Sequence, residues 1–444
     1  NTKVATVSTS GKVKGIKAGT VTITATAKDG SKKKGTYKVT VSKKSKTTKD
    51  DNTSKTQSIT KPKDKVENKE LNVSGSYVDV GIKKTINYTT LYNDYWFSSS
   101  SSPSTNNKDL ATLSMFASAS VYNLSSAVSL LQKCGFNAVQ NSIPNTETNN
   151  DHVSFVIGSK KIDNFTLVAV IVKGTSGDYE WVSNFNVGKG TTHEGFKLAK
   201  NEMKERVSSY INSQNISGTV KYWVTGHSRG AAVANLYAQD LTRTKGSNYV
   251  YAYTFATPRV SKSVDASGNI HNYINSGDFV TEVAPKKWGF ARNGRDIIIT
   301  SSELNAMKST FSSTTGVTYS GFTESSKNEL LNLFLKYSGN SQEAYYKKKT
   351  YPGKTIAGRT ITKGATFSPA DFCQQGVGYA MAGNPNGIVT VTKWGLLAVS
   401  ASDFASKIVD TSGLKSEFAH AHCVSTYVSW LTNLSGNSNV SVSQ

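Results

Sequence analysis

The stretch 219–241 constrains the fold of this chain more than any other, because it predicts a buried strand, a sharp turn and a helix in immediate succession. Apolar residues alternate at 220, 222 and 224, and then recur at helical spacing at 233, 236, 237 and 241. Between them lies a G-x-S-x-G pentapeptide with Ser228 at its centre, flanked by Gly226 and Gly230. The glycines lack the bulk that a sharp strand-to-helix turn excludes. Such a turn would hold the Ser228 hydroxyl at a helix N-terminus, where positive partial charge favours a developing anion.

The pentapeptide alone fits an ordinary tight turn with an exposed serine equally well. A serine hydroxyl is a weak nucleophile at neutral pH. It needs a base within hydrogen-bond reach, an acid that orients the base, and donors for the oxyanion. A hydrolase interpretation therefore requires a histidine and a carboxylate further along the chain.

Two of the six histidines, His420 and His422, lie far enough beyond Ser228 to leave room for an acid at a separate strand end. His271 also follows Ser228, but it precedes its best acid. His227 lies in the turn itself, and its side chain is expected to point away from Ser228.

Asp278 is the best candidate for the acid, because it comes just after a predicted strand at 271–275. Doubly wound sheets place their sites at the edge where such strands end. Asp265, Asp296 and Asp410 compete for this role, and any of them would also fit a solvated loop.

From residue 71 onward, predicted strands alternate with predicted helices, which indicates an α/β fold with a mostly parallel sheet covered on both faces. Predicted helices include 110–122, 125–134 and a final helix at 418–434. Residues 303–415 form a mixed insertion with a predicted helix at 325–335. No apolar run approaches the roughly 18 residues of a membrane span.

Residues 1–42 predict an all-β unit, with period-two alternation and glycine punctuation. Residues 43–70 contain almost nothing apolar and predict a flexible linker, and residues 71–444 form the main domain. The first residue falls inside the β unit, so we expect a fragment of a longer precursor.

The net charge of +22 is concentrated near the start of the chain, since residues 1–70 hold 18 lysines and six acidic residues. This excess favours an anionic cell-wall polymer or an acidic membrane surface as partner, although it also fits a merely solvated linker. Nucleic acid is disfavoured, because arginine and interleaved aromatic residues are missing from this block. The three cysteines form neither a zinc pattern nor a C-x-x-C motif.

Two resemblances to known families add to this interpretation. The run V-A-T-V-S-T-S-G-K-V-K-G-I-K-A-G-T-V-T-I-T-A-T-A-K-D-G at 4–30, followed by Y-K-V-T-V at 37–41, resembles the later half of a group 2 bacterial immunoglobulin-like module. Such modules commonly lie outside the cell, and the missing front strands imply an incomplete sandwich.

The main domain resembles the class 3 lipases, which include the fungal triacylglycerol lipases. The matching segments are V-I-V-K-G-T at 170–175, E-W-V-S-N-F at 180–185, H-E-G-F at 193–196, V-T-G-H-S-R-G-A-A at 224–232, T-F-A-T-P-R-V at 254–260, and D-F-V at 278–280 with Pro285 beyond it. The match spans 71–300 and 418–432.

The resemblance implies an α/β-hydrolase with Ser228 as nucleophile, Asp278 as acid and His422 as base, and His420 as the second choice of base. The family places an aromatic residue soon after its histidine, and Tyr427 follows His422 by five residues. The oxyanion hole would comprise the backbone N–H groups of Thr175 and Arg229, with the Thr175 hydroxyl as a third donor. The family requires no metal and no organic cofactor.

The sequence departs from the family pattern in places. The 144 positions from Asp278 to His422 are more than the family uses, and the segment 184–192 is too short for the usual amphipathic lid. We therefore expect the insertion, through the predicted helix at 325–335, to cover the acyl pocket.

The sequence thus predicts a secreted or surface-attached bacterial serine hydrolase that cleaves an acyl ester or lipid. The alternative is a non-catalytic surface adhesin that retains a hydrolase fold.

Overall fold

The structure is a computed structural model that describes residues 2–8, 13–27, 31–41, 68–79, 82–137, 139–142, 152–176, 178–410 and 413–443. The chain divides into two units, Asn1–Asp64 and Lys65–Gln444. None of the helices in the described parts of the chain combines the length and the apolar composition that a membrane crossing requires.

The first unit contains two antiparallel hairpins, as the alternating pattern predicts. Their strands are β1 (Ala5–Val7), β2 (Val13–Gly15), β3 (Gly19–Thr26) and β4 (Lys34–Val41). Ala5 and Val21 are the buried hydrophobic residues among those described in this unit, and Tyr37 is 75% exposed. The described part of this unit therefore has little buried hydrophobic surface.

Most of the predicted linker 43–70 lies outside the described residues. Its last residues differ from the prediction, because strand β5 already begins at Lys69. This strand pairs along its length with the next one, so Lys69 and Glu70 are ordered by backbone hydrogen bonds that composition does not reveal.

Among the described residues, the strands of the second unit form a central seven-stranded sheet, a three-stranded sheet and three peripheral pairs. The strands are β5 (Lys69–Asp79), β6 (Ile82–Tyr92), β7 (Gln140–Ser142), β8 (Phe155–Ile162), β9 (Phe165–Val172), β10 (Thr219–His227), β11 (Val250–Phe255), β12 (Ile270–Ile274), β13 (Arg295–Ile298), β14 (Lys349–Tyr351), β15 (Lys354–Ile356), β16 (Arg359–Thr362), β17 (Ala365–Phe367), β18 (Val409–Asp410), β19 (Gly413–Leu414) and β20 (Asn439–Ser443).

The helices lie before the sheet strands, between them and in the insertion. They are α1 (Lys108–Ser120), α2 (Leu124–Lys133), α3 (Asp178–Asn184), α4 (Glu194–Ser213), α5 (Arg229–Lys245), α6 (Ser301–Thr315), α7 (Glu324–Ser338), α8 (Gln342–Tyr346), α9 (Pro369–Phe372), α10 (Tyr379–Met381), α11 (Pro385–Gly395), α12 (Val399–Ala405), α13 (Ser416–His422) and α14 (Val424–Ser435).

The central sheet has seven strands in the order β13-β12-β11-β10-β9-β8-β7. Strands β9 to β13 are parallel, and β8 is antiparallel to both of its neighbours. The predicted mostly parallel sheet is therefore confirmed. Because parallel strands end at the same edge, the loops after β9, β10 and β12 meet on one side of the sheet.

Two hydrophobic cores cover the two faces of this sheet, as predicted for strands buried on both sides. Along β9, Leu167, Ala169 and Ile171 pack into one core, which includes residues of α1 and α14. The alternate residues Val168 and Val170 pack into the other, with residues of α4 and α5. This alternation is the period of two that a strand imposes on its side chains.

The turn from β10 into α5 has the backbone strain that the pentapeptide predicts. Ser228 has φ = 59° and ψ = −130°, a conformation that non-glycine residues rarely adopt. A Cβ atom on Gly226 would lie 2.5 Å from the carbonyl of Gly230, and one on Gly230 would lie 2.4 Å from the carbonyl oxygen of Val172. The two glycines therefore let the helix start directly against β10 and β9.

The insertion builds a third hydrophobic core of its own. Helix α7 confirms the predicted helix at 325–335, and its Leu330 and Phe334 pack with residues of α9, α12 and the turn after Asp278. This core also takes in Phe185 and Val187, which follow α3.

The predicted single helix at 418–434 is wrong, because the structure breaks it at Cys423. Cys423 is extended, with φ = −64° and ψ = 158°, and it ends α13 at His422 before α14 begins. Apolar periodicity continues across the break, so the pattern does not reveal it.

We predict that Gly226→Ala destabilises the protein by about 1–3 kcal/mol, because the added methyl group overlaps the Gly230 carbonyl. The matched control is Gly190→Ala, since a Cβ atom at Gly190 would meet nothing within 4 Å. Urea unfolding of both variants measures the effect. Equal midpoints for the two variants would contradict this account of the turn.

Candidate active site

Ser228 lies at the carboxyl edge of the sheet, between the end of β10 and the start of α5. Its backbone N–H donates to the carbonyl of Phe255 at 2.9 Å, which ties the turn to the end of β11. The residue is 4% exposed. The turn is thus held by its neighbours while its hydroxyl faces the loops that follow the strands.

The structure brings Ser228, His422 and Asp278 together from three distant parts of the chain. The Ser228 Oγ lies 2.8 Å from His422 Nε2, and His422 Nδ1 lies 2.9 Å and 3.0 Å from the two carboxylate oxygens of Asp278. With Nδ1–H donated to the carboxylate, Nε2 is left to accept the serine proton. The arrangement has the connectivity of a nucleophile, a base and an orienting acid.

The Asp278 carboxylate is completely buried, and donors surround it. The backbone N–H of Val280 donates to Oδ1 at 2.9 Å, and the Tyr427 hydroxyl donates to Oδ2 at 2.8 Å. The Tyr427 oxygen in turn accepts the backbone N–H of Asn275 at 3.0 Å. Burial, and then the nearby Asp278 charge, raise the pKa of Tyr427 well above its ordinary value, so the hydroxyl remains a donor.

The other candidate histidines lie away from the Ser228 hydroxyl. His420 Nδ1 contacts Ser320, with the Ser320 hydroxyl at 3.0 Å, and His271 Nε2 donates to the Pro103 carbonyl at 3.0 Å. His227 directs its ring towards Tyr122 and the backbone of His422, away from Ser228 Oγ, as expected for its place in the turn.

The competing carboxylates have other partners or other positions. Asp265 binds Gln239 and Arg243, and Asp296 forms an ion pair with Arg292. Asp410 is exposed in β18. Of the four candidate carboxylates, Asp278 is the one in contact with a histidine next to Ser228.

Helix α3 contacts both residues of the predicted oxyanion hole. The Asn184 side chain donates from Nδ2 to Thr175 Oγ1 at 2.8 Å, which leaves the threonine proton available to donate elsewhere. The buried Arg229 guanidinium donates to Ser183 Oγ at 2.9 Å. The Arg229 N–H lies in the first turn of α5, at the positive end of the helix dipole.

His193 makes a hydrogen bond to the last residue of α3, Asn184. Because a carbonyl can only accept, His193 Nε2 carries the proton that it donates to the Asn184 carbonyl at 3.2 Å. Burial lowers the pKa of His193 to about 3, so the ring stays neutral. Thr191 and Glu194 have the spacing of a capping box, but His193 is the N-cap of α4 and makes no side-chain cap bond.

A narrow apolar pocket with about 410 Å³ of empty space opens beside Ser228. Its lining residues are Trp181, Asn184, Phe185, Phe196, Ser228, Arg229, Pro258, Phe279, Val280, Val283, Met381, Ile408 and Phe418. Met381 and Ile408 come from the insertion, which therefore closes part of the pocket. Helix α7 packs behind this wall, through Phe334 against Phe279, and does not itself line the pocket.

Sequence reasoning did not identify three of the supporting groups. These are the Asn184 amide, the Tyr427 hydroxyl as a partner of Asp278, and the Tyr122 hydroxyl beside His227. Only Tyr427 has a sequence signal, its spacing from His422.

In the described parts of the chain, no three His, Cys, Asp or Glu side chains stand together as a metal site requires.

Comparison with known families matches two segments of the chain. Residues 169–288 match the family model of the class 3 lipases, and residues 1–37 match that of the group 2 bacterial Ig-like domain. The lipase segment begins within β9, includes the turn at Ser228 and Asp278, and ends before the insertion.

Curated relatives also match part of the chain. The chain is 29% identical over 138 residues to secreted mono- and diacylglycerol lipase 1 of Fusarium solani, covering 28% of this chain and 41% of the relative. It is 27% identical over 156 residues to a lipase of Rhizomucor miehei, covering 31% and 43%. It is 35% identical over 105 residues to secreted mono- and diacylglycerol lipase A of Penicillium cyclopium, covering 22% and 32%. The chain thus spans less than half the length of these relatives.

Among solved structures, the triacylglyceride lipase of Rhizomucor miehei aligns at 20% identity with a TM-score of 0.34, covering 44% of this chain and 80% of that one. The family matches together identify this chain as one that carries a class 3 lipase segment at 169–288 and a group 2 bacterial Ig-like segment at 1–37.

Proposed function

We propose that this protein is a serine hydrolase that cleaves carboxylic esters through Ser228, His422 and Asp278. The observation that carries the proposal is the continuous line of contacts from Ser228 Oγ through the His422 ring to the buried Asp278 carboxylate, at 2.8 Å and 2.9 Å. A serine at an ordinary tight turn has no need of a base that is itself oriented by a carboxylate.

In this mechanism Ser228 Oγ attacks the ester carbonyl while its proton passes to His422 Nε2. Asp278 stabilises the imidazolium, and the N–H groups of Thr175 and Arg229 bind the oxyanion, with the Thr175 hydroxyl as a further donor. His422 then gives the proton to the leaving alcohol, and an acyl-Ser228 ester remains. Water activated by His422 hydrolyses that ester and restores the serine.

The substrate class that we propose is a triacylglycerol or a related acyl ester. The walls of the pocket beside Ser228 are mostly apolar, as an acyl chain requires. The names of the Fusarium and Penicillium relatives, secreted mono- and diacylglycerol lipases, support the same class.

We further propose that the protein acts outside the cell, either secreted or attached to the surface. Support comes from the names of the relatives and from the bacterial Ig-like match at 1–37. In the proposed organisation, residues 1–42 are the Ig-like unit, 43–68 a basic linker that contacts an anionic wall polymer or membrane surface, and 69–444, from the start of β5, the hydrolase domain with its insertion at about 303–415.

We predict that Ser228→Ala lowers kcat for p-nitrophenyl butyrate by on the order of 10⁵-fold, because the nucleophile is lost. A fluorophosphonate probe should label the unmodified protein at Ser228 and leave the variant unlabelled. The matched control is Ser320→Ala, which removes another serine in contact with a histidine and should keep full activity. A fully active Ser228→Ala protein would reject the mechanism, and an unmodified protein with neither labelling nor turnover would favour a non-catalytic adhesin.

Tyr427→Phe should lower kcat about tenfold and leave KM nearly unchanged, because Asp278 loses a donor while the acyl pocket is untouched. The variant should also lose about 1–3 kcal/mol of stability, since the buried Asn275 N–H loses its acceptor. Steady-state kinetics and urea unfolding measure the two effects. An unchanged kcat would show that the hydroxyl does not support the acid.

Met381→Trp should reduce kcat/KM for octanoate esters at least tenfold relative to butyrate esters, because the larger side chain fills the apolar pocket. The control is Val389→Trp on the outer side of the same cover, where Val389 is 60% exposed. A series of p-nitrophenyl esters of increasing acyl length provides the measurement. An equal loss of kcat/KM for esters of every acyl length would show that the acyl chain does not bind in this pocket.

A further inference from the structure

A second imidazole, that of His227, lies directly behind His422. The two ring centroids are 5.0 Å apart, and His227 is 2% exposed. His227 Nε2 lies 2.9 Å from the backbone carbonyl oxygen of His422, and His227 Nδ1 lies 3.0 Å from the Tyr122 hydroxyl. Both ring nitrogens are therefore engaged, one by the backbone of the proposed base and one by a residue that follows α1.

These contacts fix the tautomer of His227. A carbonyl oxygen can only accept, so Nε2 carries the hydrogen that it donates to His422. Nδ1 is then the bare nitrogen, and it accepts the hydrogen of the Tyr122 hydroxyl. Burial lowers the pKa of His227 well below its ordinary value, as does the neighbouring His422, so the ring stays neutral.

The bond from His227 meets the backbone where the helix carrying His422 ends. Helix α13 stops at His422 because Cys423 is extended, and carbonyls in the last turn of a helix lack partners within it. The hydrogen bond that His227 donates therefore fixes the backbone of His422, from which the His422 side chain extends. Tilting that unit would move Nε2 relative to Ser228 Oγ.

The Tyr122 hydroxyl also lies against the loop that carries Thr175. A Cβ atom on Gly174 would lie 2.0 Å from this hydroxyl and 2.9 Å from the His227 carbonyl. Only a residue without a side chain lets the loop approach so closely. Tyr122 and His227 thus contact both the backbone of the base and the loop of the oxyanion hole.

We propose that His227 and Tyr122 act as a positioning pair, which holds His422 and the Gly174–Thr175 loop in the mutual geometry that ester hydrolysis requires. The inference rests on the proposed function. Neither residue lines the apolar pocket beside Ser228. The neutral ring of His227 keeps positive charge away from His422 when His422 becomes an imidazolium.

The test compares three substitutions at His227 that differ in reach. The amide nitrogen of glutamine can take the place of Nε2, so His227→Gln should keep kcat for p-nitrophenyl butyrate within about threefold. His227→Asn is too short to reach the His422 carbonyl, and His227→Phe has no donor. Both should lose about 10–100-fold in kcat with KM within twofold, since a small misplacement of a catalytic group has effects of this size. Tyr122→Phe should lose less, about 3–10-fold.

Rates are expressed per fluorophosphonate-labelled site, so that misfolded protein does not contribute. The matched control is His271, another buried histidine whose Nε2 donates to a backbone carbonyl, that of Pro103. His271→Phe should lower the melting temperature without changing kcat per labelled site. Unchanged rates in all three His227 variants, or a glutamine variant as slow as the phenylalanine one, would overturn the inference. Absence of labelling in the unmodified protein would instead reject the proposed function itself.

A pH profile separates positioning from titration of His227. The titratable side chains that face its ring are Tyr122, His422 and Tyr427. With His227 neutral, kcat/KM of the unmodified protein should fall tenfold per pH unit on the acid side, as for one protonating group, and His227→Gln should show the same limb. If kcat/KM of the unmodified protein instead fell hundredfold per pH unit, and that of His227→Gln fell tenfold, His227 would not be neutral as assigned.

Discussion

The close approach of α5 to the strand it follows is the constraint on which the rest of the site depends. It forces Ser228 to a positive φ, and it is possible only because Gly226 and Gly230 leave room for the backbone of β9 and β10. The strain is tolerated because the turn is hydrogen-bonded to β11 and lies between two packed cores. A serine in this position projects from the edge of the sheet at which β9 and β12 also end and their following loops begin.

The second requirement is a buried carboxylate whose charge is compensated by hydrogen-bond donors in direct contact with it. Asp278 receives hydrogen bonds from the Val280 N–H, the Tyr427 hydroxyl and His422 Nδ1. Such donors offset much of the cost of burying a charge, and they also fix its direction. His422 is the last residue of α13 and contacts this carboxylate where the extended Cys423 ends the helix. The carboxylate therefore orients an imidazole that lies at a helix end.

Sequence reasoning predicted the parallel sheet, and the bounds it gave for α1, α2, α7 and β12 lie within a few residues of the observed ones, because alternation and helical spacing record burial directly. It also selected the three residues that the structure brings together, through strand order and the spacing of family motifs. It did not predict the break at Cys423, since apolar residues continue across it and neither glycine nor proline marks it. Nor could it predict that Asn184 contacts Thr175, or that β20 pairs with β6, because such contacts depend on tertiary packing. Thr191 has the spacing of a cap, but His193 takes that position.

The insertion supports the acid as well as covering the pocket. Phe279 follows Asp278 directly, and its ring packs against Phe334 and Phe404 of the insertion. In the same turn, Glu282 forms ion pairs with Arg259 at 2.6 Å and with Lys327 of α7 at 3.4 Å.

These groups are nearly buried, and removing one partner of a buried ion pair leaves an uncompensated charge. The turn that presents Asp278 to His422 is therefore shared between the sheet and the insertion. A chain without residues 303–415 would lose the contacts of Phe279 with Phe334 and Phe404 and one cation beside Glu282. The insertion that separates the acid from the base in the sequence is therefore a structural element that holds the acid in place. It is more than a lid over a site that is complete without it.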